Sequence, residues 1–286
     1  MSNNTNNTIN ACICELNISV WTARKHDKVA SREVKHDKGA HSDDAARVNK
    51  NLMAGMANLK KVTDFVAATR SSFYTMTLPW SDSGQRLIPM AQFFELKQWI
   101  NTQEIEFNSI VGEFLRDYPT LISAQAFQLG ALFNRNEYPS VDDIRHKFGF
   151  RVGFLPLPQA GDFRVDAATE VINEMEEQYK ETLNTRIQQV NEDLWERLHS
   201  TIKHMSDRMG VSADGKKNIF RDSLVENAVD LCDLLKRLNI TNDQKLEKAR
   251  ASLESALLGV DATELRKDGA REEMAIKLDN ILGAWV

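Results

Sequence analysis

Proline is missing from the last 128 residues of this 286-residue chain; all six prolines (Pro79, Pro89, Pro119, Pro139, Pro156, Pro158) lie between positions 79 and 158. A proline inside a helix costs about 3 kcal/mol. The stretch after Pro158 is therefore free to be almost wholly helical, whereas the middle must turn often. Cysteine is scarce. Cys12, Cys14 and Cys232 are too few for a disulfide framework in a chain this long, and they fit a reducing compartment. No apolar run approaches the roughly 20 residues that span a bilayer. Residues 1–8 (Met-Ser-Asn-Asn-Thr-Asn-Asn-Thr) have neither the basic start nor the apolar centre of a signal peptide. Residues 1–10 read as a disordered polar tail. These absences predict a cytoplasmic protein without membrane contact.

Glycine-rich signatures are lacking too. There is no G-x-x-x-x-G-K-[ST] phosphate loop, no G-x-G-x-x-G and no G-x-S-x-G elbow, which removes several common enzyme types. Global positive charge is absent: 36 lysines and arginines stand against 41 aspartates and glutamates, a net −5 that argues against coating nucleic acid through the overall field.

What is present is a near-average globular composition, 42% hydrophobic and 27% charged, enough for a sizeable core. Residues 12–21 alternate in strand fashion, with Cys12, Cys14, Leu16, Ile18 and Val20 on one side. That places both cysteines on the apolar face, as small buried side chains rather than metal ligands or redox thiols. A helix is expected from Ser42-Asp43-Asp44 onward through Val48, Leu52, Met56, Leu59 and Val62. A second strand is expected over Phe73–Leu78. The turn Ser81-Asp82-Ser83-Gly84 should return the chain as a partner strand from Gln85 to Ile88. One helix should follow Pro89 to about Arg116 and another span Pro119 to Phe133. Ser140 fits an N-cap over Asp142 and Asp143, and the chain alternates again from Phe148 to Leu157. Asp162–Val165 suggests a further short strand after a turn at Gly161.

The last part differs in character. Val171, Met175, Tyr179, Leu183, Ile187, Val190, Leu194, Leu198, Ile202, Met205 and Met209 recur in steps of three and four, as on one face of a helix of about 40 residues. Such a stripe, reminiscent of a coiled coil, needs cover from this chain or from another copy. Gly210 ends it, and Asp214-Gly215 opens a turn. A helix then runs from Ile219 to Leu238, and two more span about 242–258 and 262–283, opened by capping boxes at Thr241–Gln244 and Asp261–Glu264. The expected fold is α+β and predominantly helical. A small antiparallel β element with helices forms a head over residues 11–165, and a long amphipathic helix with a helical bundle fills residues 166–286.

Lys-His-Asp-Lys occurs twice, at 25–28 and 35–38. Three readings are open. A metal could use His26, His36, Asp27 and Asp37, with His41 as a further ligand, but His26 and His36 are ten apart and four lysines would repel a cation. Phosphates could be held by Arg24, Lys25, Lys28, Arg32, Lys35 and Lys38, opposed by Asp27, Glu33 and Asp37 only, with Trp21 or Trp80 as a stacking face. The plain alternative is a solvated loop or helix start with local charge pairs. The acid pairs Asp142/Asp143, Glu176/Glu177 and Glu272/Glu273 are adjacent on helices and diverge, which does not suit acid/base work. His199 and His204, five apart, do not form the i,i+4 pair of metalloproteases. No catalytic set, metal site or cofactor is expected.

Several short stretches carry a resemblance: residues 21–25 (Trp-Thr-Ala-Arg-Lys), 77–80 (Thr-Leu-Pro-Trp), 84–89 (Gly-Gln-Arg-Leu-Ile-Pro), Tyr118-Pro119, Tyr138-Pro139, 154–158 (Phe-Leu-Pro-Leu-Pro) and 162–165 (Asp-Phe-Arg-Val). With these, residues 12–166 resemble a family of uncharacterised proteins of tailed phages and mobile elements, often encoded near MoxR-type AAA+ ATPases and von Willebrand A-domain proteins. The resemblance implies a phage protein acting in the host cytoplasm, with an AAA+ ATPase as one candidate partner. It brings no catalytic residues.

Two functional classes follow. The first is a non-enzymatic interaction or scaffold protein that binds a host or phage protein and self-associates through Val171, Met175, Leu183, Ile187, Leu194, Leu198 and Ile202. The second is a single-stranded nucleic-acid binding or annealing protein that uses Trp21, Arg24, Lys25, Lys28, Arg32, Lys35 and Lys38.

Overall fold

The computed structural model describes residues 9–158, 169–210, 218 and 221–285. The strand expected at 162–165, the turns at Gly161 and Asp214-Gly215, the helix start at Ile219 and most of the polar N-terminal tail lie outside these residues. In chain order the elements are β1 (Ala11–Ser19), β2 (Arg24–His26), α1 (Lys28–Asp37), β3 (Asn49–Asn51), α2 (Ala57–Met76), β4 (Leu78–Pro79), β5 (Arg86–Pro89), α3 (Phe93–Leu129), α4 (Val141–Arg145), β6 (Gly149–Pro156), α5 (Thr169–Met209), α6 (Ser223–Leu238), α7 (Gln244–Leu257) and α8 (Asp268–Trp285). The fold is the predominantly helical α+β class expected, with a small antiparallel sheet.

That sheet has the order β4-β5-β1-β6, and β2 and β3 form a separate two-stranded ribbon. Strand β1 pairs antiparallel with β5 from Ala11↔Pro89 to Cys14↔Arg86. Cys12 and Cys14 are buried as expected, and burial pushes the Cys14 thiol up to about 12. The turn between β4 and β5 closes where Gly84 donates its amide to the Ser81 carbonyl, at a φ of 91° that favours glycine.

Three expected boundaries are corrected. No helix starts at Asp43. There Ser42 bonds the Asp44 carboxylate, and Val48 donates its amide to Ser31 Oγ, which ties the chain to α1. The helix begins at Ala57, after Gly55 turns the chain at φ 72°. The strand expected at 73–78 is mostly the end of α2. Its buried residues Leu59, Val62, Val66, Thr69 and Phe73 keep helical spacing, and only Leu78 and Pro79 are extended. Helix α3 is single and carries Pro119 inside it. A proline removes one helical hydrogen bond, but Pro119 lies on the exposed side while Phe114, Leu115, Tyr118 and Ile122 remain buried around it. Burial of those side chains outweighs the lost bond.

Two cap assignments also change. Asp243, not Thr241, caps α7, its Oδ1 accepting from the Lys245 and Leu246 amides at 2.8 and 3.2 Å. After Asp261 comes a short 3-10 turn at Glu264–Arg266, and α8 starts only at Asp268. Ser140 caps α4 as expected, accepting from Asp143 N at 3.1 Å.

The chain forms two compact units that do not follow the expected head and tail as consecutive segments. One comprises residues 1–15, 74–96 and 154–286; the other comprises 16–73 and 97–153. The β1–β5–β4 pairing brings 11–14 and 78–89 together in the first unit, a long-range relation that composition does not reveal.

In the first unit, Val190, Leu194, Leu198, Ile202, Met205 and Met209 of α5 are buried among residues of α6, α7 and α8. Arg271 of α8 donates from Nε to the Met209 carbonyl at 2.7 Å and from Nη2 to the Arg208 carbonyl at 2.5 Å, closing the C-terminal end of α5. The stripe, expected to need cover from this chain or another copy, is thus covered within the chain from Val190 onward. Toward its start it also leaves the buried face. Each step of four residues advances about 40° around a helix of 3.6 residues per turn. The four successive steps from Val171 to Ile187 therefore rotate by about 160°. Val171 is accordingly exposed, and Met175, Leu183 and Ile187 are half-buried.

In the second unit, α2 and α3 lie side by side. Lys61 pairs with Glu113 at 2.7 Å, Asn58 Nδ2 donates to Asp117 Oδ2 at 2.8 Å, and Thr69 Oγ1 to Gln103 Oε1 at 3.2 Å. An aromatic cluster fills the core: Trp21 packs edge-on to Tyr118 at 5.7 Å, and Phe114 faces Phe148 at 5.7 Å.

Candidate functional site

The two Lys-His-Asp-Lys copies occupy opposite ends of one helix. In the first, Lys25 and His26 close β2, and Asp27 caps α1, its Oδ1 accepting from the Val29 and Ala30 amides at 3.0 Å each. In the second, Lys35 and His36 fill the last turn of α1 and Lys38 caps its end. Asp27 at the N-terminus and Lys35 near the C-terminus suit the helix dipole, while Lys28 and Asp37 of the same copies do not. The repetition does not assemble a metal site. His26 Nε2 lies 3.2 Å from Ser31 Oγ, while His36 is exposed beside Asp37. No group of three metal-ligating side chains exists among the described residues.

The acid in the first copy is also paired with a lysine of β3. Lys50, on β3, is 8% exposed; its Nζ lies 3.1 Å from Asp27 Oδ2 and 2.6 Å from Glu137 Oε2, and donates to the Leu132 carbonyl at 3.0 Å. The Ala30 amide and the Lys50 ammonium hold the Asp27 carboxyl below its ordinary range. Burial opposes the Lys50 charge, but hydrogen bonds to Glu137 and Asp27 outweigh it and raise the ammonium's pKa. Neither Lys50 nor Glu137 is visible as a site residue in the sequence, since 87 positions separate them and no motif links them.

With Asp27 engaged, Arg24, Lys25, Lys28, Arg32 and Lys38 stand exposed on β2 and α1. Lys28 and Arg32 share a flank of α1 at helical i,i+4 spacing. Lys35, the next position on that flank, is instead half-buried, its Nζ donating to the Asp43 carbonyl at 2.8 Å. The unit that carries these residues contains 17 lysines and arginines against 13 acids, a net +4, in a chain whose total is −5. The other unit therefore holds the remaining 19 bases against 28 acids, a net −9.

Both tryptophans expected as stacking faces are buried. Trp21 is 8% exposed, wedged between Phe114 and Tyr118. Trp80 is 4% exposed, with the Arg186 guanidinium 5.3 Å above its ring. Their aromatic faces serve the core, which corrects the expectation for Trp21.

An aromatic face appears elsewhere. Phe127 of α3 is 90% exposed, and Leu132 beyond it 45%. Gln125 Nε2 donates to the Ala54 carbonyl at 2.9 Å, and Tyr138 Oη to the Leu52 carbonyl at 2.9 Å. These bonds, with Lys50 to Leu132, fasten the end of α3 and the loop after it to residues 50–54. The sequence signal for Phe127 is its phase: Ile122, Gln125 and Leu129 mark the inward face of α3, and Phe127 falls on the opposite side.

Of the expected interface residues, Leu194, Leu198 and Ile202 are sealed within the chain, while Val171, Met175, Leu183 and Ile187 keep access to solvent. A wide cleft of about 400 Å³ lies beside that part of α5, lined by Ser81, Asp82, Glu181, Thr185, Arg186 and Gln189. No described helix is long and apolar enough to cross a membrane. Compared with known proteins, the chain matches no family model, and no curated protein or solved structure is significantly similar to it.

Proposed function

We propose that this chain is a non-enzymatic binding protein that holds nucleic acid by its phosphates on the cationic face of β2 and α1. The observation that carries the reading is that Arg24, Lys25, Lys28, Arg32 and Lys38 stay exposed along β2 and α1, in a unit of net +4, while the Asp27 carboxylate is turned to the α1 amides and Lys50. Local positive charge of this kind attracts phosphate and releases counterions even where the chain is acidic overall. The resemblance of residues 12–166 to phage and mobile-element proteins would place this binding in the cytoplasm of an infected host.

The test is fluorescence anisotropy with a labelled 20-nucleotide oligonucleotide. With about four phosphate contacts on a single strand, affinity should fall roughly fiftyfold between 50 and 200 mM salt. The double variant Arg24→Glu/Lys25→Glu should weaken binding and flatten that salt dependence. Absence of binding by the wild-type chain at 50 mM salt ends this reading.

A second reading, a protein partner such as an AAA+ ATPase or another copy of the chain, is favoured by Phe94, 79% exposed beside Phe93. Exposed aromatic side chains of this kind mark interaction faces when they cluster. A pull-down from infected cells, with and without nuclease, separates the two: a protein retained after nuclease supports this reading, and loss of all bound material supports the first.

A further inference from the structure

We infer that the nucleic acid held on the cationic face is a duplex, gripped through its two backbones rather than through its bases. The inference rests on the phosphate-binding reading above and names its substrate class.

The face presents charge without a stacking ring. Residues 22–64 contain no Phe, Tyr or Trp. The rings that touch this part of the chain are turned inward. Trp21 packs on Phe114 and Tyr118, and Tyr138 is buried with its hydroxyl donating to the Leu52 carbonyl. Phe133 is half-buried against Tyr138, with ring centroids 5.4 Å apart. Phe127 is exposed, but it lies about 200° around α3 from Gln125, the residue that bonds the Ala54 carbonyl. Its ring therefore points away from the ribbon.

The cations, by contrast, form a patch wider than one stretch of sequence. Lys28 and Arg32 are about 6 Å apart along the axis of α1. Each strand of a duplex offers a phosphate every ~3.4 Å of its axis, so long side chains at that spacing reach phosphates of one strand. Arg24 and Lys25 lead into α1 from β2. Arg47, also exposed, joins from elsewhere in the chain. Val48, next to it, accepts from the Asp27 amide and donates to Ser31 Oγ, each at 3.0 Å, which sets Arg47 beside the first turn of α1. The exposed acids of α1, Glu33 and Asp37, lie between about 100° and 180° around the helix from Lys28 and Arg32. Of the acids in the following loop, Asp43 stands 3.6 Å from Lys35 and Asp44 is bonded by Ser42.

Such a face suits a duplex for an electrostatic reason. Counting both strands, a duplex carries one charge per ~1.7 Å of axis, and a surface made of cations gains most where phosphates are densest. Proteins that prefer a single strand add aromatic rings on which the unpaired bases stack. This face has no such ring to offer. A duplex loses nothing by that lack, because its bases are already stacked on one another. Phosphate contacts carry no sequence information, so binding should be indifferent to sequence.

The experiment follows anisotropy of labelled ligands at 50 mM salt with the full chain. The ligands are a 20-base-pair duplex of mixed sequence, dT20, and 20-base-pair duplexes made only of A·T or only of G·C pairs. Wild type should bind the mixed duplex at least about fivefold more tightly than dT20, and the A·T and G·C duplexes within about twofold of each other. Added salt should weaken the duplex more steeply, with a logarithmic slope of about 0.9 per contact against about 0.7 for dT20. Arg47→Glu and Arg24→Glu/Lys25→Glu should each weaken duplex binding at least about threefold. The duplex inference is overturned by dT20 binding as tightly as the mixed duplex or more tightly. A preference above about tenfold between the A·T and G·C duplexes, or duplex binding that neither variant weakens, overturns it as well. If dT20 is preferred and Arg24→Glu/Lys25→Glu weakens it, the phosphate reading stands while the duplex falls. If wild type binds none of the ligands, both readings fall together.

Discussion

Lys50 Nζ lies 3.1 Å from Asp27 Oδ2, so that a lysine buried on β3 supports the residue that caps α1. One carboxylate thus does two things. It accepts the first free amides of the helix, and it balances a charge that would otherwise be stranded under the ribbon. The same ammonium reaches Glu137 and the Leu132 carbonyl, which gathers β2, β3, α1 and the loop after α3 around one atom.

Lys50→Met should therefore be strongly destabilising. Removing one partner of a buried charge cluster leaves the acids uncompensated and costs about 3 kcal/mol, near the lower end for such losses because Asp27 and Glu137 keep some contact with water. Urea denaturation should show a lower midpoint at unchanged slope. Lys28→Met, on the exposed flank of α1, should change stability by less than about 0.5 kcal/mol.

The pH dependence follows from the directions of the two shifts. Asp27 titrates below its ordinary value of 3.8 in the folded chain. Its contribution is complete above that pH and is lost as pH falls through the depressed folded value. Lys50 titrates above 10.5, so its contribution is complete below that pH and is lost as pH rises through the raised value. Denaturation midpoints should be insensitive to this pair between pH 5 and 9 by this argument, and Lys50→Met should flatten the fall in acid.

Arg197 of α5 makes the C-terminal end of α2 a second point of sensitivity. Its Nη1 donates to the Thr75 carbonyl at 2.7 Å and its Nη2 to the Thr77 carbonyl at 2.9 Å, while Nε pairs with Asp193 at 2.8 Å. Arg86 reaches the Thr77 carbonyl as well, at 2.9 Å, and its own pKa is lowered by burial and then by the Arg197 charge. Arg197→Ala should cost about 2 kcal/mol by leaving helix-end carbonyls short of donors. Arg197→Lys should recover little, because a single ammonium cannot reproduce the planar fork. Thermal denaturation of the two variants checks both statements.

The stripe on α5 can be tested by contrast. Leu198 is 1% exposed within its own chain, so Leu198→Ala should cost about 3 kcal/mol at any protein concentration. Val171 is 45% exposed, and Val171→Ala should cost less than about 0.5 kcal/mol. A midpoint for Leu198→Ala that rises with protein concentration would show that another copy helps to cover this face.

Local patterns were legible where one residue type answers one backbone demand. The strand at β1, the Ser81–Gly84 turn, the Ser140 cap, the full extent of α5 and the fold class follow from spacing, capping chemistry and the distribution of proline, although the face of β1 opposite the cysteines is buried as well at Ala11 and Ile13. Spacing misled where it was counted without phase. Steps of four satisfy a helical count while rotating steadily off the buried face, so Val171 joined a list to which it does not belong in space. Pro119 misled because the cost of a proline is local, whereas the burial that overrides it is collected from side chains on both sides.

The sequence by itself determined the elements with local causes, the cations of residues 24–38 and the absence of familiar phosphate-loop and nucleophile motifs. Only the tertiary structure decided that Trp21 turns inward, that Lys50 finds Asp27 and Glu137, and that Phe127 is left facing water. Those outcomes depend on contacts between residues tens of positions apart. Each position's chemistry is written locally, but what surrounds it, and hence what its charge or ring can do, is set by chain segments that meet only on folding.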